Sequence, residues 1–181
     1  MKTHYVFVVA WVIFFVIVGQ CRAYDEKTVC EVELLTNTEY RQALISEIKK
    51  ARSEIVMSFY VFKTSNKNRA AHKVLEQLVL AAQRGVSVRV ILERTKNGKD
   101  ELDMSNKETA LILKQAGIDV CFDSPSRTTH TKLVVIDGRY VFIGSHNLTP
   151  SALERNNEAS ILIDSTKIAQ EAKEYMRYIC H

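Results

Sequence analysis

The stretch HTKLVVIDGRYVFIGSHN, residues 130–147, decides how this chain is read. Two apolar runs, residues 132–136 and 140–143, flank Asp137 and Gly138. Asp-Gly between such runs is the strongest short hairpin signal in the chain, since a tight two-residue turn needs positive φ at both central positions. Alternate residues of a strand share a face, so His130 and Lys132 point the same way. If Ile136 pairs with Arg139, counting back along both strands sets His130 opposite Ser145, with Asn147 just beyond. A bulge in the hairpin would shift that register by one and undo the pairing.

Outward from the hairpin, helix and strand patterns alternate. Tyr40, Ala43, Leu44, Ile48 and Ala51 recur at helical spacing and predict a helix over 37–52, with Thr36 or Asn37 placed to cap it. A buried strand follows over 55–62. Ala71, Val74, Leu75, Leu78 and Ala82 predict a helix over 69–84 that Gly85 stops, and then a strand over 86–92. Residues 93–105 are polar, with a turn at Asn97 and Gly98. A helix over 106–116, a strand over 118–122, a strand over 158–163 and a helix over 167–179 complete the pattern. This predicts a single α/β domain whose sheet is mixed, because one hairpin interrupts the crossovers, with helices on both faces.

The chain has 181 residues, 46% of them apolar, enough for one domain with a substantial core and unlike a disordered chain. Residues 1–23 stand apart. Lys2, an apolar run over 5–18 and the ending Cys21, Arg22, Ala23 read as a signal peptide cleaved after Ala23, which leaves 24–181 as the domain and implies a periplasmic or secreted location. The run is shorter than the roughly 20 residues that comfortably span a bilayer. An uncleaved N-terminal membrane anchor is the alternative. Cleavage lowers Lys plus Arg from 25 to 23 against 21 acids, so net charge alone does not argue for nucleic acid. Export permits one disulfide among Cys30, Cys121 and Cys180, with any of the three left over.

The residues around the hairpin suit a phosphodiester. Lys132 offers a point charge to a nonbridging oxygen, Ser145 and Asn147 offer neutral donors, and Gly144 admits close backbone approach. His130 is the one group of the cluster able to attack phosphorus or move a proton near neutral pH. There is no glycine-rich phosphate loop and no pair of carboxylates nearby to hold magnesium, so neither a metal nor a cofactor is expected. Lys63, Lys67 and Arg69 follow one predicted strand, and Arg94, Lys96 and Lys99 follow another. Loops after parallel strands gather at one sheet edge, where these cations would form a phosphate-tracking rim, or simply a solvated surface mixed with Glu93, Asp100 and Glu101.

His130, Lys132, Asp137, Gly144, Ser145 and Asn147 match the pattern HxKxxxxD…GSxN, and the stretch resembles the phospholipase D superfamily. A chance match in a chain of this length is on the order of one in a million. Thr149, Ser151, Asn157 and Glu158 resemble the continuation found in the superfamily's small single-motif nucleases, and the similarity spans about residues 31–178. The resemblance implies a catalytic set of His130, Lys132, Asp137 and Glu158, with Lys132, Gly144, Ser145 and Asn147 on the substrate phosphate. It also implies that His130 forms a covalent phosphohistidine, that Glu158 orients it, and that Asp137 supports the site's structure and charge balance.

A second motif's histidine protonates the leaving oxygen in such relatives, and this chain has one motif. His4, His72, His146 and His181 sit in unrelated contexts, His146 filling the motif's variable position. The missing imidazole must come from a second copy, which implies a homodimer with its active site on the two-fold axis. The implied function is a metal-independent, nonspecific endonuclease acting on DNA or RNA. A lipase acting on phosphatidyl head groups and a catalytically silent nucleic-acid-binding module are the alternatives, with a membrane partner only if the N-terminal segment is uncleaved.

Overall fold

Residues Lys132–Ile136 (β5) are buried at every position, which a strand achieves only in the middle of a sheet covered on both faces. The computed structural model describes residues 30–64 and 69–180; the signal or anchor of residues 1–23 and the cation Lys67 lie outside the described residues. In chain order the remaining elements are β1 (Glu31–Thr36), α1 (Thr38–Lys50), β2 (Glu54–Phe59), α2 (Arg69–Gln83), β3 (Ser87–Leu92), α3 (Glu101–Gln115), β4 (Asp119–Phe122), β6 (Tyr140–Gly144), α4 (Pro150–Glu154), β7 (Ala159–Asp164) and α5 (Thr166–Ile179).

Among the described residues the strands form one seven-stranded sheet, ordered β1-β7-β6-β5-β2-β3-β4. β2, β3 and β4 run parallel, and every other neighbouring pair is antiparallel. The sheet is therefore mixed, as the interrupted crossovers predict. Its two faces are unequally covered. Leu44 and Ile48 of α1, Val74 and Leu78 of α2 and Leu113 of α3 pack with Ile55, Met57, Val90, Val134 and Phe142 into the main core. The opposite face holds a smaller core in which Ala169 and Met176 of α5 cover Ile91, Leu133, Val135 and Val141. Cys121 of β4 is bonded to Cys180, which fastens the end of α5 across that face, and Cys30 is left as an exposed free thiol.

Three elements depart from the sequence reading. β1 is absent from the sequence reading; its alternating Glu31, Val32, Glu33 and Leu34 leaves Val32 and Leu34 59% and 63% exposed, and the strand is carried by its pairing with β7. Helix α3 begins at Glu101 rather than 106. Its first turns bury Asp103, Ser105 and Asn106, a polar face without an apolar stripe, and Asp100 caps it by accepting from the Asp103 N–H at 2.9 Å. Helix α1 has no cap from Thr36 or Asn37: the Asn37 side chain makes no bond to the helix, and the Glu39 carboxylate accepts from the Thr36 N–H and Oγ1 at 2.9 and 2.7 Å.

Candidate active site

The topology gathers the site at one edge of the sheet. β2 and β3 are parallel and end there, at Phe59 and Leu92, while antiparallel β5 starts there with Lys132 paired to Phe59. Just before β5, the segment carrying His130 is zipped to neighbouring chain. The Tyr60 N–H donates to the Thr131 carbonyl at 3.0 Å, and the Ser58 and Thr131 hydroxyls are 2.6 Å apart. Thr129 is fixed from the other side, its N–H held by the buried Glu93 carboxylate and its hydroxyl by Asp123.

His130 is exposed, yet its ring is held in place. The Tyr60 ring lies 4.6 Å from it, centroid to centroid. Lys132 points to the same side, with its Nζ 3.2 and 3.3 Å from the two ring nitrogens and donating to the His130 carbonyl at 3.0 Å. Lys132 is buried, and burial lowers its pKa, opposed by the negative charge of Glu158. Burial also lowers the His130 pKa, and the Lys132 charge pushes it the same way. A neutral imidazole with an open face beside an ammonium is the pairing needed to attack a phosphate whose negative oxygen the lysine holds.

The hairpin register differs from the one predicted. Asp137 and Gly138 do adopt positive φ, and the Arg139 N–H closes the turn on the Ile136 carbonyl at 3.0 Å. The ladder nevertheless pairs Ile136 with Tyr140, leaving Arg139 as an extra, bulged residue. Arg139 is drawn out by β7, where its guanidinium makes two bonds of 2.6 Å to Asp164 and its carbonyl accepts from the Ser165 N–H at 3.0 Å. The shift by one runs through the whole ladder, with Leu133 facing Ile143, so the count that set Ser145 opposite His130 does not hold. Ser145 reaches the cluster indirectly, its hydroxyl donating to the Glu158 carboxylate.

The other predicted residues separate into two groups. Glu158 faces the site: Ser145 and the Asn156 amide, at 2.9 Å, hold its carboxylate, and its charge acts on Lys132. Neither of its carboxylate bonds goes to His130. Asn147 accepts from the Val61 N–H through Oδ1 at 3.3 Å, which leaves its NH2 group as the donor available to a phosphate. Gly144 is required for packing. A Cβ there would collide with the Ser160 backbone and the Ala159 carbonyl, so the glycine admits β7 rather than a substrate. Asp137 sits at the far end of β5 from His130 and touches no reacting group; its carboxylate gathers the N–H groups of Arg52, Ser53 and Glu54 and the Ser53 hydroxyl. His146 is fully buried and stacked on Tyr40 at 4.3 Å, so it is not a substrate contact.

The family described as "Cardiolipin synthase, PLD-like domain" matches residues 44–180, about three quarters of the chain and the whole of this edge. The chain belongs to the phospholipase D superfamily. Within the superfamily it is 34% identical over 128 residues to a protein named phospholipase D from Rickettsia prowazekii, a match covering 70% of this chain and 56% of that one. A cardiolipin synthase A from Proteus mirabilis is 32% identical over 131 residues, covering 72% of this chain and 25% of the relative. The chain thus spans about half the length, or less, of these curated relatives. Its fold is that of the phospholipase D family member Nuc from Salmonella typhimurium, with a TM-score of 0.69, 24% identity and coverage of 83% of this chain and 93% of that one. NucT from Helicobacter pylori gives 0.65 at 22% identity, covering 83% and 95%.

The superfamily motif is legible in sequence, but Tyr60 and Thr129 carry no local signal, and Asn37 reads there only as a helix cap. Their importance lies in contacts between segments far apart in the chain, which no local spacing announces.

Proposed function

We propose that this protein is a phosphodiesterase that cleaves DNA or RNA, with His130 as nucleophile and no metal in the reaction. Neutral His130 attacks phosphorus, a P–N bond forms as the P–O bond breaks, and Lys132 with the Asn147 amide takes the charge on the nonbridging oxygens. The leaving oxygen takes its proton from the protonated His130 of a second copy across a two-fold axis, so the shared site works with one of its two imidazoles neutral and the other charged. Water then attacks the phosphohistidine, a P–O bond forms as the P–N bond breaks and releases neutral His130, and the second imidazole accepts the water's proton. The observation that carries this reading is the exposed His130 held against buried Lys132.

The nucleic-acid substrate rests on the rim. Arg94, Lys96 and Lys99 are exposed on the segment that follows β3, at the site edge, where they suit a chain of phosphates. Lys63 at the same edge is paired with Glu101 at 2.7 Å. Residues 149–158, with their resemblance to single-motif nucleases, support the same choice. Export is part of the proposal, supported by the apolar run over 5–18 and by the Cys121–Cys180 disulfide.

One observation favours a lipid substrate instead: a groove beside His130 and Lys132 is lined by Leu133, Ile143, Ile168, Ala172 and Tyr175, apolar enough for an acyl chain. Purified protein in excess chelator, given plasmid in one arm and phosphatidylcholine or cardiolipin vesicles in the other, separates the two. Plasmid nicking that survives chelation, from a species that light scattering shows to be a dimer, is the expected result. Lipid turnover with intact plasmid, or full activity from a monomer, overturns it.

A further inference from the structure

Asn37 has φ 48° and ψ −116°, a conformation that belongs to glycine. A residue with a Cβ persists there only when its surroundings over-determine it, and such strain concentrates near functional sites. Three bonds hold it. Its N–H donates to the Glu158 carbonyl at 3.0 Å, and its Oδ1 accepts from the Glu158 N–H at 3.1 Å, across 121 residues of sequence. Its carbonyl accepts from His146 Nε2 at 2.9 Å.

His146 is itself fixed. Nδ1 accepts from the Ser160 hydroxyl at 2.7 Å, and the ring stacks on Tyr40 with planes 9° apart, wholly out of solvent. His146 follows Ser145, and Ser160 lies two residues after Glu158, so this buried cluster grips both sides of the contact between Ser145 and Glu158. The position where asparagine usually caps a helix has been diverted from its helix to clamp both peptide groups of Glu158.

We infer that Asn37, held by buried His146, is a positioning residue that aims the Glu158 carboxylate at Ser145 and Lys132. It acts through Glu158 and touches no substrate. The inference rests on the phosphodiesterase reading above, and adds a requirement that the signature residues do not contain.

Asn37→Gly is the informative variant. Glycine accepts the backbone conformation without strain, so the fold is kept while the Oδ1 grip on Glu158 is lost. With bis(p-nitrophenyl) phosphate as substrate, kcat is expected to fall at least about tenfold with KM within about twofold, the mark of lost alignment rather than lost binding. Asn37→Asp, which keeps the acceptor, should recover most of it. In a Glu158→Gln background Asn37→Gly should cost little more, since both changes act through one group. Parent-like kcat in Asn37→Gly, or losses that multiply in the double variant, overturns the inference. If the parent cleaves no phosphodiester, the proposed function has failed separately. NMR titration of the Lys132 amine then decides: Asn37→Gly should move it in the direction that Glu158→Gln does, and an unmoved amine overturns the positioning role.

Discussion

The two ends of β5 carry residues of one signature and do opposite work. At its start, His130 is exposed with Tyr60 and Lys132 against its ring, and partial desolvation and the neighbouring charge both lower its pKa. At its end, Asp137 is saturated: four donors from Arg52, Ser53 and Glu54 converge on one carboxylate and tie the hairpin to the start of β2. A sequence motif records both alike. The difference teaches that HxKxxxxD joins an exposed histidine–lysine pair, the chemical end of the proposed reaction, to a structural staple, through the strand that sets their separation.

Breaking the chemical end should give the largest effect. His130→Asn is expected to lower phosphodiester cleavage by on the order of 10⁴-fold, because the attacking nitrogen is gone and no other group can replace it. Stability should stay within about 0.5 kcal/mol of the parent, since the side chain is exposed. Plasmid nicking and a thermal melt read both quantities. Unchanged nicking in the variant means that the motif is not the source of activity.

Breaking the structural end should reverse the pattern. Asp137→Ala removes the common acceptor of four donors and leaves alanine at φ 52°, for an expected loss of about 3 kcal/mol in urea unfolding. Turnover per folded molecule should stay within about threefold. The acid branch of the stability curve sharpens the contrast. Burial pushes the Asp137 pKa up, but the bonds from Ser53, Glu54 and Arg52 outweigh it and the net shift is downward. A depressed folded pKa gives stability that is present above the unfolded value, about 3.9, and is lost as pH falls below it through the folded value. Asp137→Asn should lack that acid-dependent loss.

The same division explains what the sequence could show. Strand β5, the turn at Asp137 and Gly138 and the shared side of His130 and Lys132 depend on neighbours in the chain, and each is found as predicted. The bulge at Arg139 depends on Asp164 and Ser165, and the need for glycine at 144 depends on β7, so local spacing could show neither. Helix α3 hid its first turn because Asp103 and Ser105 are buried for their bonds to Thr95 and the Glu101 carbonyl, not for apolar contact. Asn37 looked like a helix cap from its neighbours alone, while its partner stands 121 residues away.

The smallest effect is the most specific to the chemical end. In the proposed reaction attack requires the neutral imidazole, so the acid limb of kcat/KM should follow the His130 pKa, which lies below the ordinary value of 6.5. Burial is the larger cause and the Lys132 charge the second. Lys132→Gln removes only the second, so the pKa should rise toward 6.5, and the acid limb should move to higher pH. The variant will also be slower, but the position of the limb does not depend on its height. A limb that stays in place or moves to lower pH would mean that the lysine charge does not act on the attacking ring. Asp137→Asn is the control from the other end of the strand: a remote carboxylate that serves only as a staple should leave the limb where it is, whatever it does to the melting temperature.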